Sequence, residues 1–90
     1  MFVMIVGEYS QDDHKTAVRE LLKQYGLKEV ISDVFESVSM KENTLARLKR
    51  DVDRVTDYYD TIRFYQYPLD DTLAVTSLTK KKWRRILVKA

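Results

Sequence analysis

Glu8 is the first residue of this chain whose type and place could do chemistry. It closes the apolar run Phe2-Val3-Met4-Ile5-Val6-Gly7, so a charge sits where a doubly buried strand reaches the rim of the core. A carboxylate there is either a solvated strand end or a ligand for something cationic. His14 is the only histidine. It falls in the first turn of a helix, where a lone histidine reads as a solvated surface residue. A Ser-His-Asp triad or a two-histidine nuclease site finds no support around it. Asp12-Asp13 have the chemistry to help bind a metal, but residues of this type before a helix are read first as caps, with Ser10 as a further candidate. Asp70-Asp71, after Pro68, read as a turn. Tyr58, Tyr59, Tyr65 and Tyr67 offer faces on which bases could stack; beside an interface the same rings read as packing residues. The absence of cysteine excludes disulfides, zinc-thiolate sites and thiol nucleophiles. With two glycines there is no glycine-rich phosphate loop, so nucleotide cofactors are poorly supported.

Basic residues fall into three groups. Lys15, Arg19 and Lys23 recur every fourth residue and so line one helix face. Arg47, Arg50 and Arg54 form a second stripe, interleaved with Asp51, Asp53 and Asp57. The third group is Lys80-Lys81-Lys82-Trp83-Arg84-Arg85. The net charge of +2 hides an asymmetry, because no acidic residue follows Asp71. Six basic residues lie beyond it, leaving ten against fourteen acidic ones before, so the body is −4 and the last segment +6. Such an end points to a polyanion or an acidic protein surface as partner. On one surface, the three groups would track phosphates without reading bases.

The elements that must position these groups follow from periodicity. Ninety residues make one domain with a modest core. Hydrophobic residues at 44% and charged ones at 33% fit a globular chain. No apolar run is long enough for a membrane span, and no basic region precedes Phe2 as in a signal peptide. A cytoplasmic protein without membrane contact is expected. The first helix is predicted over about 14–25, with Val18, Leu21, Leu22 and Tyr25 as its apolar stripe and Gly26 as its stop. Leu27 to Met40 reads as one strand, bent or broken near Ser37–Ser39. The second helix is predicted over 41–58, with Leu45, Leu48, Val52, Val55 and Tyr59 in three-four alternation. Asp60 to Tyr67 alternates as a strand, with Ile62 and Phe64 on one face and Arg63, Tyr65 and Tyr67 on the other. Two short strands, 73–78 and 84–88, are joined by the lysine turn.

This order predicts an α+β, ferredoxin-like sandwich: strand-helix-strand-helix-strand plus C-terminal strands, with both helices on one sheet face. The first strand is apolar on both faces, Phe2, Met4 and Val6 on one and Val3 and Ile5 on the other. Helices cover only one, so a homodimer through sheet faces is expected, with Tyr65 and Tyr67 in its interface.

The chain resembles the small CRISPR-associated Cas-two family, the second subunit of the spacer-acquisition complex. The resemblance lies in 1–8, Ser32-Asp33-Val34-Phe35-Glu36, Arg47-Leu48-Lys49-Arg50 and Asp60-Thr61-Ile62-Arg63-Phe64-Tyr65. It implies a ferredoxin-like homodimer in which segment 79–90 adds its strand to the partner's sheet. It implies bridging of two Cas-one integrase dimers and a hold on double-stranded DNA, with RNA as the alternative polymer. Lys15, Arg19, Lys23, Arg47, Arg50 and Arg54 would then meet nucleic acid, and Lys80, Lys81, Lys82, Trp83, Arg84 and Arg85 the partner. The resemblance also implies a metal-dependent nuclease activity in some members, where an aspartate after a tyrosine ends the first strand and pairs across the dimer to hold Mg²⁺ or Mn²⁺. Here those positions are Glu8 and Gly7, and Asp33 stands where a serine is frequent. The departures favour a scaffold that needs no metal. A metal-dependent endonuclease or endoribonuclease of the same fold, including a VapD-like toxin, is the second expectation. A protein-interaction domain without nucleic acid is the third.

Overall fold

The computed structural model describes residues 1–69 and 71–89. Eight elements follow in order: β1 (Phe2–Glu8), α1 (Asp12–Gln24), β2 (Lys28–Ile31), β3 (Val34–Ser37), α2 (Glu42–Arg54), β4 (Thr61–Leu69), β5 (Thr72–Thr79) and β6 (Lys82–Lys89). The strands form one antiparallel sheet in the order β2-β3-β1-β4-β5-β6. Both helices pack on one face of it, an α+β layering compatible with a ferredoxin-like sandwich. The core lies between the layers: Val3, Ile5, Phe35, Ile62, Phe64 and Leu78 from the sheet against Val18, Leu22, Leu45, Leu48 and Val52 from the helices.

Each helix has a local reason to stop. After α1, Gly26 takes a left-handed φ of 87° and Leu27 N–H reaches back to Leu22 O at 3.0 Å, which closes the last turn. A Cβ on Gly26 would meet nothing within 4 Å, so glycine is required there for its φ rather than for space. The second helix stops at Arg54, four residues before the expected Tyr58. There the Thr56 hydroxyl donates to Val52 O at 2.9 Å and to Asp53 O at 3.2 Å, capping carbonyls that a longer helix would have used. Neither helix has a side-chain cap at its start. Gln11 is the N-cap residue of α1, and Asp12 and Asp13 lie inside its first turn, where their charge suits the dipole.

The expected single strand over 27–40 is a hairpin. Ile31 pairs with Val34 around Ser32-Asp33, and Asp33 has φ 63°. Aspartate tolerates that left-handed position better than most residues, so Ser-Asp between two β-branched runs was the turn signal. The break expected near Ser37–Ser39 falls where β3 ends. Asp71 also turns with a positive φ of 59°; Asp70, the other half of that expected turn, lies outside the described residues. The last strand, β6, pairs along its length with β5 of its own chain.

Candidate nucleic-acid interface

Strand alternation divides the sheet into two unlike faces. Val3 and Ile5 are buried under the helices, whereas Phe2, Met4 and Val6 are only partly covered on the other side. The register continues that helix-free face across the sheet. Met4 lies opposite Tyr65, Tyr65 opposite Val75, and Val75 opposite Ile86. Phe2 lies opposite Tyr67, and Leu73 opposite Val88. One half of the face is therefore apolar, with Tyr67, Ile86 and Val88 exposed by 43%, 55% and 50%.

The other half is polar and basic. Val6, Arg63, Ser77 and Arg84 form one cross-strand row; Glu8, Thr61, Thr79 and Lys82 form the next. Beyond them the chain turns through Lys80 and Lys81, with φ 55° and 59°. Two left-handed residues between paired strands make the tight hairpin turn that matches sheet twist. For residues with a Cβ, each such position costs about 1 kcal/mol or more. Lys81 offsets this by gripping the end of α2. Its ammonium donates to Asp53 O at 2.6 Å, to Thr56 O at 3.3 Å and to the Asp53 carboxylate. Trp83 Nε1–H donates to the other Asp53 oxygen at 3.0 Å. The Lys81 hydrogen bond, with help from Trp83, holds the Asp53 carboxyl below its ordinary range.

Lys80 has no such partner among the described residues. With Tyr58, Ser77, Thr79, Lys82 and Arg84 it lines an open groove of about 560 Å³. Lys80, Lys82 and Arg84 form no ion pair among the described residues, and the lining contains no carboxylate. Tyr58 is half exposed and meets Tyr59 edge-on at 5.3 Å. Both rings stand in the loop between α2 and β4, not in a strand. Three uncompensated cations, two hydroxyls and an aromatic edge suit a phosphodiester backbone.

The helix stripes lie elsewhere. Lys15 pairs with Asp33 at 3.0 Å. Arg19 pairs with Asp33 at 2.6 Å and with both Glu29 oxygens at 2.6 and 2.8 Å, over the Phe35 ring. The Arg19 hydrogen bonds, then the Asp33 N–H, hold the Glu29 carboxyl at about 2. Lys15 and Arg19 thus fasten α1 to the β2–β3 hairpin. Lys23 is exposed and outside these pairs. Arg47 and Arg50 are exposed on α2, and Arg54 meets Asp51 at 3.5 Å. These groups sit on the helical layer, whereas Lys82 and Arg84 point to the helix-free face. The basic residues therefore divide between two faces, with Lys82 and Arg84 on the helix-free one and the helix stripes, Lys81 and Arg85 on the helical one.

Glu8 is exposed at the end of β1 on the helix-free face, in a depression of about 150 Å³ with Val6, Gly7, Thr61 and Arg63. Gly7 has no side chain, and Tyr9 covers the space above it: a Cβ on Gly7 would lie 2.6 Å from Tyr9 Cζ. Burial, then the nearby Asp33 and Asp60 charges, push the Tyr9 phenol up to about 12. Within one chain, a lone carboxylate beside a guanidinium does not fit Mg²⁺ or Mn²⁺, which need several oxygen ligands.

His14, Asp57 and Asp60 bring their ligand atoms within 4.8 Å of one another, but the buried Asp60 carboxylate is already occupied. Its Oδ1 accepts from Ser10 N–H at 2.8 Å and the Ser10 hydroxyl at 3.0 Å. Its Oδ2 accepts from Asp57 N–H at 2.8 Å and faces His14 Nδ1 at 2.8 Å. A carboxylate only accepts, so His14 Nδ1 carries the proton. His14 is thus partly buried against Asp60, not solvated as expected. Nothing in the spacing of Ser10, His14 and Asp60 announced this joint.

Comparison with known proteins gave no match to a family model, a curated protein or a solved structure. Among the described residues no helix is long and apolar enough to cross a membrane.

Proposed function

We propose that this protein is a non-catalytic subunit of a CRISPR spacer-integration complex. It acts as a homodimer, bridges Cas-one integrase dimers and holds prespacer DNA by phosphate contacts. The observation that carries the reading is the groove beside the lysine turn, where Lys80, Lys82 and Arg84 stand together without a carboxylate. The resemblance in 1–8, 32–36, 47–50 and 60–65 supplies the integrase as partner. The apolar half of the helix-free face supplies the dimer contact, through Met4, Tyr65, Ile86 and, beside them, Tyr67. In segment 79–90, pairing of the free edge of β6 with the partner's sheet is an additional means of joining the copies. Glu8, alone beside Arg63, supports a role that needs neither Mg²⁺ nor Mn²⁺.

The test is co-sedimentation of the full chain with a Cas-one integrase and a short DNA duplex. One particle containing all three is expected, unchanged by Glu8→Gln and by a chelator. The pure protein should leave duplex and single-stranded RNA uncut in Mg²⁺ or Mn²⁺. Failure to join the integrase, or hydrolysis lost in Glu8→Gln, contradicts the proposal.

A further inference from the structure

On the helix side of the sheet, the groove between α2 and β6 holds a second pair of cations. Lys49 leaves α2 toward the sheet; its ammonium lies 5.7 Å from the Phe64 ring centre and 3.4 Å from Thr76 Oγ1. Thr76 lies between Phe64 on β4 and Arg85 on β6 in the register. Arg85 is therefore the direct cross-strand neighbour, on the same face, of the residue that Lys49 touches. Glu42, Leu45, Ala46, Lys49, Gln66 and Arg85 line a space of about 200 Å³.

Neither cation has a carboxylate partner among the described residues. The one acid in the lining, Glu42, is seven residues before Lys49 on α2, about 10 Å along the helix axis. Burial, then the charge of Arg85, hold the Lys49 ammonium pKa below its ordinary value. Two like charges thus face one half-buried space with no anion between them.

We propose that the α2–β6 groove is an oxyanion site that takes a phosphate group between Lys49 and Arg85. A carboxylate brings one charge, whereas a terminal phosphate brings nearly two and three acceptor oxygens, which match two cations. Arg84 and Arg85 point to opposite faces, so this site is separate from the groove beside the lysine turn and does not depend on the function proposed above.

Inorganic phosphate is titrated into the full chain at constant ionic strength, with chloride as the balancing anion. The Lys49 side-chain signals are followed by NMR. A saturable shift is expected, with the apparent pKa of Lys49 raised by the bound anion. Loss of a charged donor in Arg85→Gln should weaken binding by about tenfold or more. Arg85 is exposed, so that variant keeps its fold. Lys23→Gln, which removes an exposed cation on α1 outside both grooves, should leave the Lys49 response as in the parent. Competition by a 5′-phosphorylated dinucleotide alone would support a terminal phosphate as the natural ligand. Competition by its unphosphorylated counterpart as well would support any phosphodiester. A linear response matched by chloride, or equal saturation in Arg85→Gln, overturns the proposal.

Discussion

Replacing Asp60 should do more damage than replacing any other polar residue described. Its side chain is fully buried and accepts two backbone N–H groups, from Ser10 and Asp57, besides Ser10 Oγ and His14. These join the β1–α1 loop, the first turn of α1 and the α2–β4 loop. In Asp60→Asn the amide can still accept from Ser10, and His14 can change tautomer. The Asp57 N–H then meets a second donor. One orphaned N–H and the lost charge assistance should cost about 2–3 kcal/mol, and Asp60→Ala about 3–5 kcal/mol. A domain of this size has about 5–13 kcal/mol in total, so Asp60→Asn should lower Tm by about 10 °C or more. Burial raises the Asp60 carboxyl pKa, but the hydrogen bonds outweigh it and leave a net depression. The sign follows: this stability is present above the unfolded-state value of about 3.8 and is lost as pH falls below it through the folded value. Denaturant titrations of parent and Asp60→Asn should therefore differ at pH 7 and approach each other as the pH falls below about 3.8. Asp60→Asn within 0.5 kcal/mol of the parent at pH 7 would refute the reasoning.

Two further pairs of substitutions separate the faces and the turn. Ile86→Glu, on the half-exposed helix-free face, should shift the protein from dimer to monomer in sedimentation equilibrium while leaving monomer stability within about 0.5 kcal/mol; Val3→Asp, under the helices, should cost about 3–5 kcal/mol in the same urea titration. Lys80→Gly should raise stability by about 0.5 kcal/mol by relieving a left-handed Cβ, whereas Lys81→Gly should lower it because the grip on Asp53 and Thr56 is lost. Matching thermal melts for the two glycine variants would contradict the division of labour in the turn.

Periodicity made most of the fold legible. Val18 and Leu22 on α1, Leu45, Leu48 and Val52 on α2, and Ile62 and Phe64 on β4 all sit in the core. The two-sided apolarity of β1 resolved into a buried pair and a half-covered trio because the helices reach only one face. The β2–β3 turn was missed because Ser32-Asp33 lacks the glycine that usually marks such a turn. The site was harder to read. Spacing grouped Lys15 with Arg19, yet their acceptors, Glu29 and Asp33, come from a hairpin whose register no local pattern fixes. Within Lys80–Arg85, Lys81, Trp83 and Arg85 face or engage the helical layer while Lys82 and Arg84 face away, a split that exists only once β6 is a strand. Lys49 has no role of its own within Arg47-Leu48-Lys49-Arg50, because one cation among many on a helix carries no signal until Arg85 is opposite.

The central claim is that the groove of Lys80, Lys82 and Arg84 holds a phosphate backbone. The most direct measurement is the salt dependence of duplex affinity for the parent and for Lys80→Gln/Lys82→Gln/Arg84→Gln. Three lost phosphate contacts should reduce the slope of log K against log salt by about 2.7, so that between 50 and 200 mM salt the parent loses about 40-fold more affinity than the variant. Equal slopes for the two proteins would contradict the account.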